Sequence, residues 1–342
     1  MKRILLFALI CSFFKITNGQ AVFAVESGTN TVFYSNLDAA IINAIAGATI
    51  YLPAGTYTLE ATDAINLHKE LHFIGVGYHP DSTLATGISR ITNYFAFYTG
   101  SDNSSIIGID IDAILMVTNV QNIFISRCKI TSLSFFGGPD ANSKIILSEC
   151  VVLNSITANN TGNISDCVVI SNNSIFQGQI AYLNDSQFVN CIFLYKPESP
   201  SPLILVNKNS VFQNSIFIGD NSNINGCVGC NNQFINNLFV NSNPQLYGDI
   251  DLNNIKGILA SDIFVSQSGN TYNYKHDYHL KPTCLGNDAG SDGTDVGIFG
   301  SITPFKVGGL PVNPHVALKQ IGSSTDQNGK LPLNIKIVAQ DH

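Results

Sequence analysis

The sequence has no tryptophan, two methionines and, over 342 residues, only 12% charged side chains. An ordinary soluble domain carries about 25% charged residues. With 45% of residues apolar, a disordered chain or a charge-laced coiled coil is excluded. Arginine occurs only at Arg3, Arg90 and Arg127, and the net charge is −7, so no nucleic-acid partner gripped through its phosphates is expected. No histidine lies between His79 and His276. The middle of the chain therefore lacks the side chain that most readily exchanges protons at neutral pH. No Asp-Asp dipeptide occurs, which weighs against an inverting two-carboxylate hydrolase. Beyond the N-terminus no apolar run approaches the roughly 20 residues of a membrane helix, so no membrane span is expected.

Solubility must instead come from the Asn, Ser, Thr and Gly spread between short apolar runs. At the N-terminus Lys2 and Arg3 precede an apolar run from Ile4 to Phe14, with small residues at Thr17, Gly19 and Ala21. Residues 1–21 read as a secretory signal, and the mature chain is expected to be secreted, periplasmic or on the cell surface. Cys11 falls in that segment, so seven of the 8 cysteines would meet an oxidising compartment.

A repeat organises the remainder. Aligning Phe124–Ile130, Ile146–Val152, Asn163–Val169, Phe188–Phe193, Phe212–Phe217 and Phe234–Phe239 puts Cys128, Cys150, Cys167, Cys191, Ser215 and Asn237 at one reference position, with steps of 22, 17, 24, 24 and 22 residues. Three residues before it and two after it, every side chain is apolar. Strand-like units of this period mark a solenoid, in which each coil buries its face only against its neighbours. The odd spacing between the first apolar position and the reference position demands a bend. The pairs there, from Ser126–Arg127 and Ser148–Glu149 to Gln213–Asn214, contain residues that suit a tight corner.

With its ends included, the chain resembles the right-handed parallel β-helix family, the pectin-lyase-like fold of pectate lyases and many secreted bacterial repeat proteins. The resemblance rests on a short helix from Leu37 to Ala46, then the Gly47–Tyr57 segment, and, at the other end, Asp277–Pro282, Asn287–Gly290 and Asp295–Gly300. It implies an all-β fold: residues 22–300 as a right-handed parallel β-helix solenoid behind a short capping helix, and residues 301–342 as an extended hairpin tail packing on it. His315–Ile321 and Leu331–Val338, flanking Asn328-Gly329, read as that hairpin.

Few residues are left for chemistry. The aligned cysteines face inward in this register and read as small packing groups, with disulfides between stacked neighbours as the alternative. Cys227 and Cys230, in a Gly/Asn-rich loop, read as a local disulfide or a reduced pair; a zinc site with His276 and His279 has no further support. Asp110 and Asp112 should share an outer strand face one coil from Lys129, with Arg127 in a corner column beside Glu149 and Asp166. The family resemblance implies that such a carboxylate pair with a cation is where lyases bind Ca2+ or abstract a proton. Solvated surface charge is the simpler reading. Asp288, Asp292 and Asp295 resemble a calcium loop but read better as turn residues, so no metal or cofactor is expected outside a lyase. Immediately after the reference position, Val151, Val168, Ile192, Ile216 and Leu238 form an outward aliphatic stripe that the tail or a partner must cover. The reading that follows is a monomeric, non-catalytic exported protein with a binding or structural role, its ligand a polysaccharide or a surface protein, and with a polysaccharide lyase or other carbohydrate-active enzyme as the alternative.

Overall fold

The computed structural model describes residues 22–58, 64–136, 142–158, 167–195, 202–219, 223–247 and 249–339. The expected signal segment 1–21 and Asp166 lie outside these residues. The chain winds as a parallel β-solenoid of about 8 turns, with 41% of residues in strands and 3% in helices. Two sheets of 12 and 14 strands run along it. The first opens with an antiparallel pair, Phe23–Ser27 and Asn30–Tyr34, and ends at Ile250–Leu252. Helix Leu37–Asn43 buries Leu37 and Ala40 against the first coils, and the Asn36 side chain accepts from the Ala39 N–H to cap it.

The apolar positions become ladders. Phe188, Phe212 and Phe234 stack at 5.0 and 5.1 Å, and Phe193, Phe217 and Phe239 at 4.6 and 4.5 Å. The two stacks meet edge to face inside the coil, the arrangement favoured by ring quadrupoles. Both end at the last coil, where Asp251 pairs in register with Phe234 and Lys256 with Phe239. Asp251 and Lys256 bond to each other, so an ion pair caps the phenyl stacks and gives the end of the solenoid a polar face.

Corners form where the sequence places them. Arg127, Glu149, Asn173, Asn190, Asn214, Asn236 and Asn253 all adopt φ between 49° and 55°. This left-handed conformation is tolerated best by Asn and Gly. The structure corrects the register at one coil: Ser174, not Cys167, follows Cys150 at the reference position, because Val151 pairs with Ile175 and Ile175 with Ile192. The 17-residue step therefore separates Ser174 from Cys191. Ser-Asp-Cys-Val-Val imitates Ser-Glu-Cys-Val-Val, but the corner forms at Asn173, and Cys167 falls earlier in its coil. Cys128, Cys150 and Cys191 are fully buried, as the packing reading expects. Polar residues at the reference position link coils: Cys150 N–H donates to Ser174 Oγ, Cys191 N–H to Ser215 Oγ and Ser215 N–H to Asn237 Oδ1, at 3.1, 3.0 and 2.9 Å.

With the corrected register the aliphatic stripe is Val151, Ile175, Ile192, Ile216 and Leu238, all buried. It is covered from within the chain, by Ile263, Phe264, Tyr278, Val296, Ile298 and Phe305. The hairpin, His315–Ile321 with Leu333–Val338, forms as expected but does not lie on the stripe. Ile321, Leu333, Ile335 and Ile337 remain exposed.

Candidate functional site

What holds the covering segment in place is the corner column. Asn236 donates to Ala289 O, Asn214 accepts from Ser291 N–H, Asn190 donates to Gly297 O, and Asn173 donates to Ile298 O at 2.8 Å. Glu149 then accepts from Lys306 N–H at 2.7 Å and Arg127 donates to Leu310 O at 3.1 Å. Corner numbers fall as segment numbers rise, so the chain runs back along the coils one corner at a time. Gly297 permits a close approach: its φ is +94°, and a Cβ there would lie 2.7 Å from Ile216 Cδ1. Arg127 and Glu149, expected on the surface, are buried and paired at 3.2 Å. Arg127 thus belongs to this fastening and not to a cluster with Asp110.

Asp110, Asp112 and Lys129 do come together, around a residue the sequence reading did not place. Arg90 pairs in register with Asp110 from the preceding coil, which the loop between Gly77 and Ile88 lengthens. Its guanidinium donates to Asp110 Oδ2 at 2.8 Å and to Asp112 Oδ1 at 2.7 Å, and Lys129 Nζ lies 2.8 Å from the same Asp110 oxygen. The two aspartates share a face as expected. Asp110, however, is 1% exposed, so the group is not a solvated surface pair. Burial disfavours the Lys129 ammonium, but hydrogen bonding and charge from Asp110, together with Tyr274, outweigh it and hold its pKa above the usual lysine value. A lysine held protonated is a poor general base.

Beside this group the covering segment brings aromatic rings onto the coils. The Tyr274 ring centre lies 5.5 Å from Lys129 Nζ, and the His79 ring packs against Tyr274 at 4.8 Å. Tyr272 N–H donates to Gln177 Oε1 at 2.7 Å, which fixes this segment to the solenoid. Tyr78, His79, Tyr272, Tyr274, Tyr278 and Phe299 line a cavity of about 260 Å³, which His276 and His279 also border. Burial raises the hydroxyl pKa values of Tyr78, Tyr272 and Tyr278 and lowers that of His276, so these four groups are uncharged at neutral pH. His279 stacks on Phe299 at 3.7 Å with its Nδ1 2.7 Å from Asp277. The coils have no histidine of their own after His79, yet two arrive from a segment about 200 positions later.

Other candidates have structural employment. Asp295 accepts from Asp288 N–H, and Asp292 accepts from both the N–H and hydroxyl of Thr294, so these carboxylates shape turns. Among the described residues no three His, Cys, Asp or Glu side chains converge as metal ligands. Cys227 and Cys230 are joined as a disulfide.

Fold and site together define a parallel β-solenoid repeat protein whose returning C-terminal segment builds an aromatic pocket against the coils. No protein-family model, curated protein or solved structure matches the chain. Among the described residues no helix is long and apolar enough to cross a membrane.

Proposed function

We propose that this is an exported, monomeric, pectin-lyase-like β-solenoid that binds a glycan at the Tyr272–Tyr274 pocket without cleaving it. The observation that carries the reading is a pocket walled by the rings of Tyr78, Tyr272, Tyr274, Tyr278 and Phe299, beside an ion cluster whose two cations are both bound to Asp110. The C–H groups on the flat face of a sugar ring complement the negative face of a tyrosine ring, and the tyrosine hydroxyl supplies a polar contact at the rim. The cavity, about 260 Å³, falls just below the usual range of drug-sized sites and suits one sugar ring at a chain end or branch. Turnover by elimination needs a free base and a cation facing the substrate carboxylate. Here Arg90 and Lys129 are both committed to Asp110, and Lys129 is kept protonated. Export is supported by the signal-like residues 1–21 and by the Cys227–Cys230 disulfide, which belongs in an oxidising compartment.

One observation favours a lyase as the second reading: His276 is a neutral imidazole at the pocket. A screen of neutral and acidic glycans for binding, with each bound glycan then incubated and read for the ultraviolet absorbance of an unsaturated product, separates the two. Binding with no new absorbance is expected. New absorbance establishes the lyase, and an absence of binding to every glycan removes the carbohydrate reading.

A further inference from the structure

We infer that the Cys227–Cys230 disulfide is a thiol–disulfide exchange site, one that trades its bond with a pair of thiols on an uncharged, extended segment of another polypeptide. The two sulfurs are not equivalent. Cys227 is partly exposed, whereas Cys230 is 2% exposed. Exchange proceeds by attack of a thiolate on one sulfur of the bond, and access decides which sulfur is attacked. Cys227 Sγ is the one an incoming thiolate reaches, so Cys230 is the leaving group. Val228, between them, is 77% exposed, with exposed Gly226 and Gly229 beside it. No charged residue occurs from Asn223 to Asn232. The loop therefore offers its partner a small, open, apolar tip.

The fold holds the two cysteines together without help from the bond. Asn225, fully buried, accepts from Cys227 N–H at 3.2 Å, donates to Cys227 O at 3.3 Å and is itself anchored on Asp249 Oδ2. Gly226 N–H donates to Ile204 O and Asn209 N–H to Cys230 O, both at 2.8 Å, which pins the loop to the preceding coil at entry and exit. Gly229, with φ at +71°, supplies the left-handed residue of the turn. The Cα atoms are 5.7 Å apart, within the usual disulfide range. Reduction leaves these contacts in place, so the thiols stay side by side and the bond re-forms without closing a loop. A bond between residues only 3 apart also constrains the unfolded chain little, so the fold does not depend on it.

The exchange balances. A partner thiolate attacks Cys227 Sγ, a mixed disulfide forms, and Cys230 leaves as a thiolate that takes up a proton. The partner's second thiolate then attacks the partner sulfur of the mixed disulfide, which closes the partner's own bond and releases Cys227 as a thiolate to be protonated. Two electrons and two protons pass from the partner dithiol to the pair, and the reverse sequence with a disulfide resets it.

The test uses the full chain and a synthetic uncharged peptide carrying two cysteines, with thiols trapped by alkylation and counted by mass. Oxidised chain with reduced peptide, and reduced chain with oxidised peptide, should converge on the same ratio while circular dichroism stays unchanged. Cys230→Ser, incubated with oxidised glutathione, should capture one glutathione at Cys227, and Cys227→Ser should be captured at least about tenfold more slowly because its remaining thiol is buried. A bond that neither mixture shifts until denaturant is added overturns the proposal, and that outcome needs no variant to fold. Equal capture rates for the two variants overturn it too, since they would remove the asymmetry on which the exchange depends.

Discussion

Glu149 accepts a hydrogen bond at 2.7 Å from the backbone N–H of Lys306, which lies 157 positions later in the chain. The same carboxylate is paired with Arg127, whose guanidinium donates to Leu310 O. One buried ion pair therefore fastens the end of the returning segment. Removing one partner of a buried pair leaves the other uncompensated, so Arg127→Met should cost about 3–5 kcal/mol. Its signature is faster amide exchange in residues 300–310 than in the coils, measured by hydrogen–deuterium exchange. Uniform exchange across the chain would contradict this role.

The phenyl stacks should dominate stability. Phe212 packs between Phe188 and Phe234 and is fully buried. Phe212→Ala should cost about 3–5 kcal/mol in denaturant unfolding. Leu84→Ala, at a side chain 83% exposed, should stay within about 0.5 kcal/mol. Similar losses for both would deny the ladder.

Val206 holds φ at 55°, a left-handed conformation that a β-branched residue adopts only under strain. Val206→Gly should therefore stabilise the protein by about 0.5–1 kcal/mol, the left-handed penalty relieved less the added flexibility of the unfolded chain. A lower midpoint of thermal unfolding would show that packing at this corner outweighs the strain.

Burial pushes the thiols of Cys150 and Cys191 up to about 12. Reaction of a thiol with a disulfide reagent needs both thiolate and access. Cys128, Cys150 and Cys191 should stay unmodified in the native protein at mildly alkaline pH and react fully in denaturant. Any of the three reacting in the native state would contradict its inward register.

Lys129→Met should destabilise the protein by about 1–3 kcal/mol, since Asp110 keeps Arg90 but loses its second cation. The folded pKa of Lys129 is raised, so its contribution is complete below the unfolded value of about 10.4 and is lost as pH climbs through the folded value. The difference between wild type and variant should be constant through neutral pH and shrink only under strongly alkaline conditions. A difference that vanishes on acidification toward neutrality would mean that Lys129 is not the protonated partner.

Most of the solenoid is legible in the sequence because each coil repeats the demands of its neighbours: apolar residues at the ladder positions, Asn at the corner. The ambiguity at Cys167 and Ser174 arises because two Cys-Val-Val runs look alike, and Asn173 is the residue that decides between them. Arg90 was displaced by a long loop that no repeat length anticipates. The pocket was the least legible part. Tyr272, Tyr274 and His276 lie in a segment with no repeat of its own, and their place follows from backbone contacts made by corner side chains that resemble ordinary surface polar residues. The stripe carried a partial signal, since five adjacent aliphatics had to be covered by something.

The most direct measurement is hydrogen–deuterium exchange of the full chain with and without the tightest glycan from the binding screen, with the glycan recovered and weighed afterwards. Protection confined to peptides containing Tyr78–His79 and residues 272–279, with the glycan returned at its original mass, is the result the pocket requires. Protection elsewhere on the solenoid, or a shortened glycan, would contradict binding without turnover at this site.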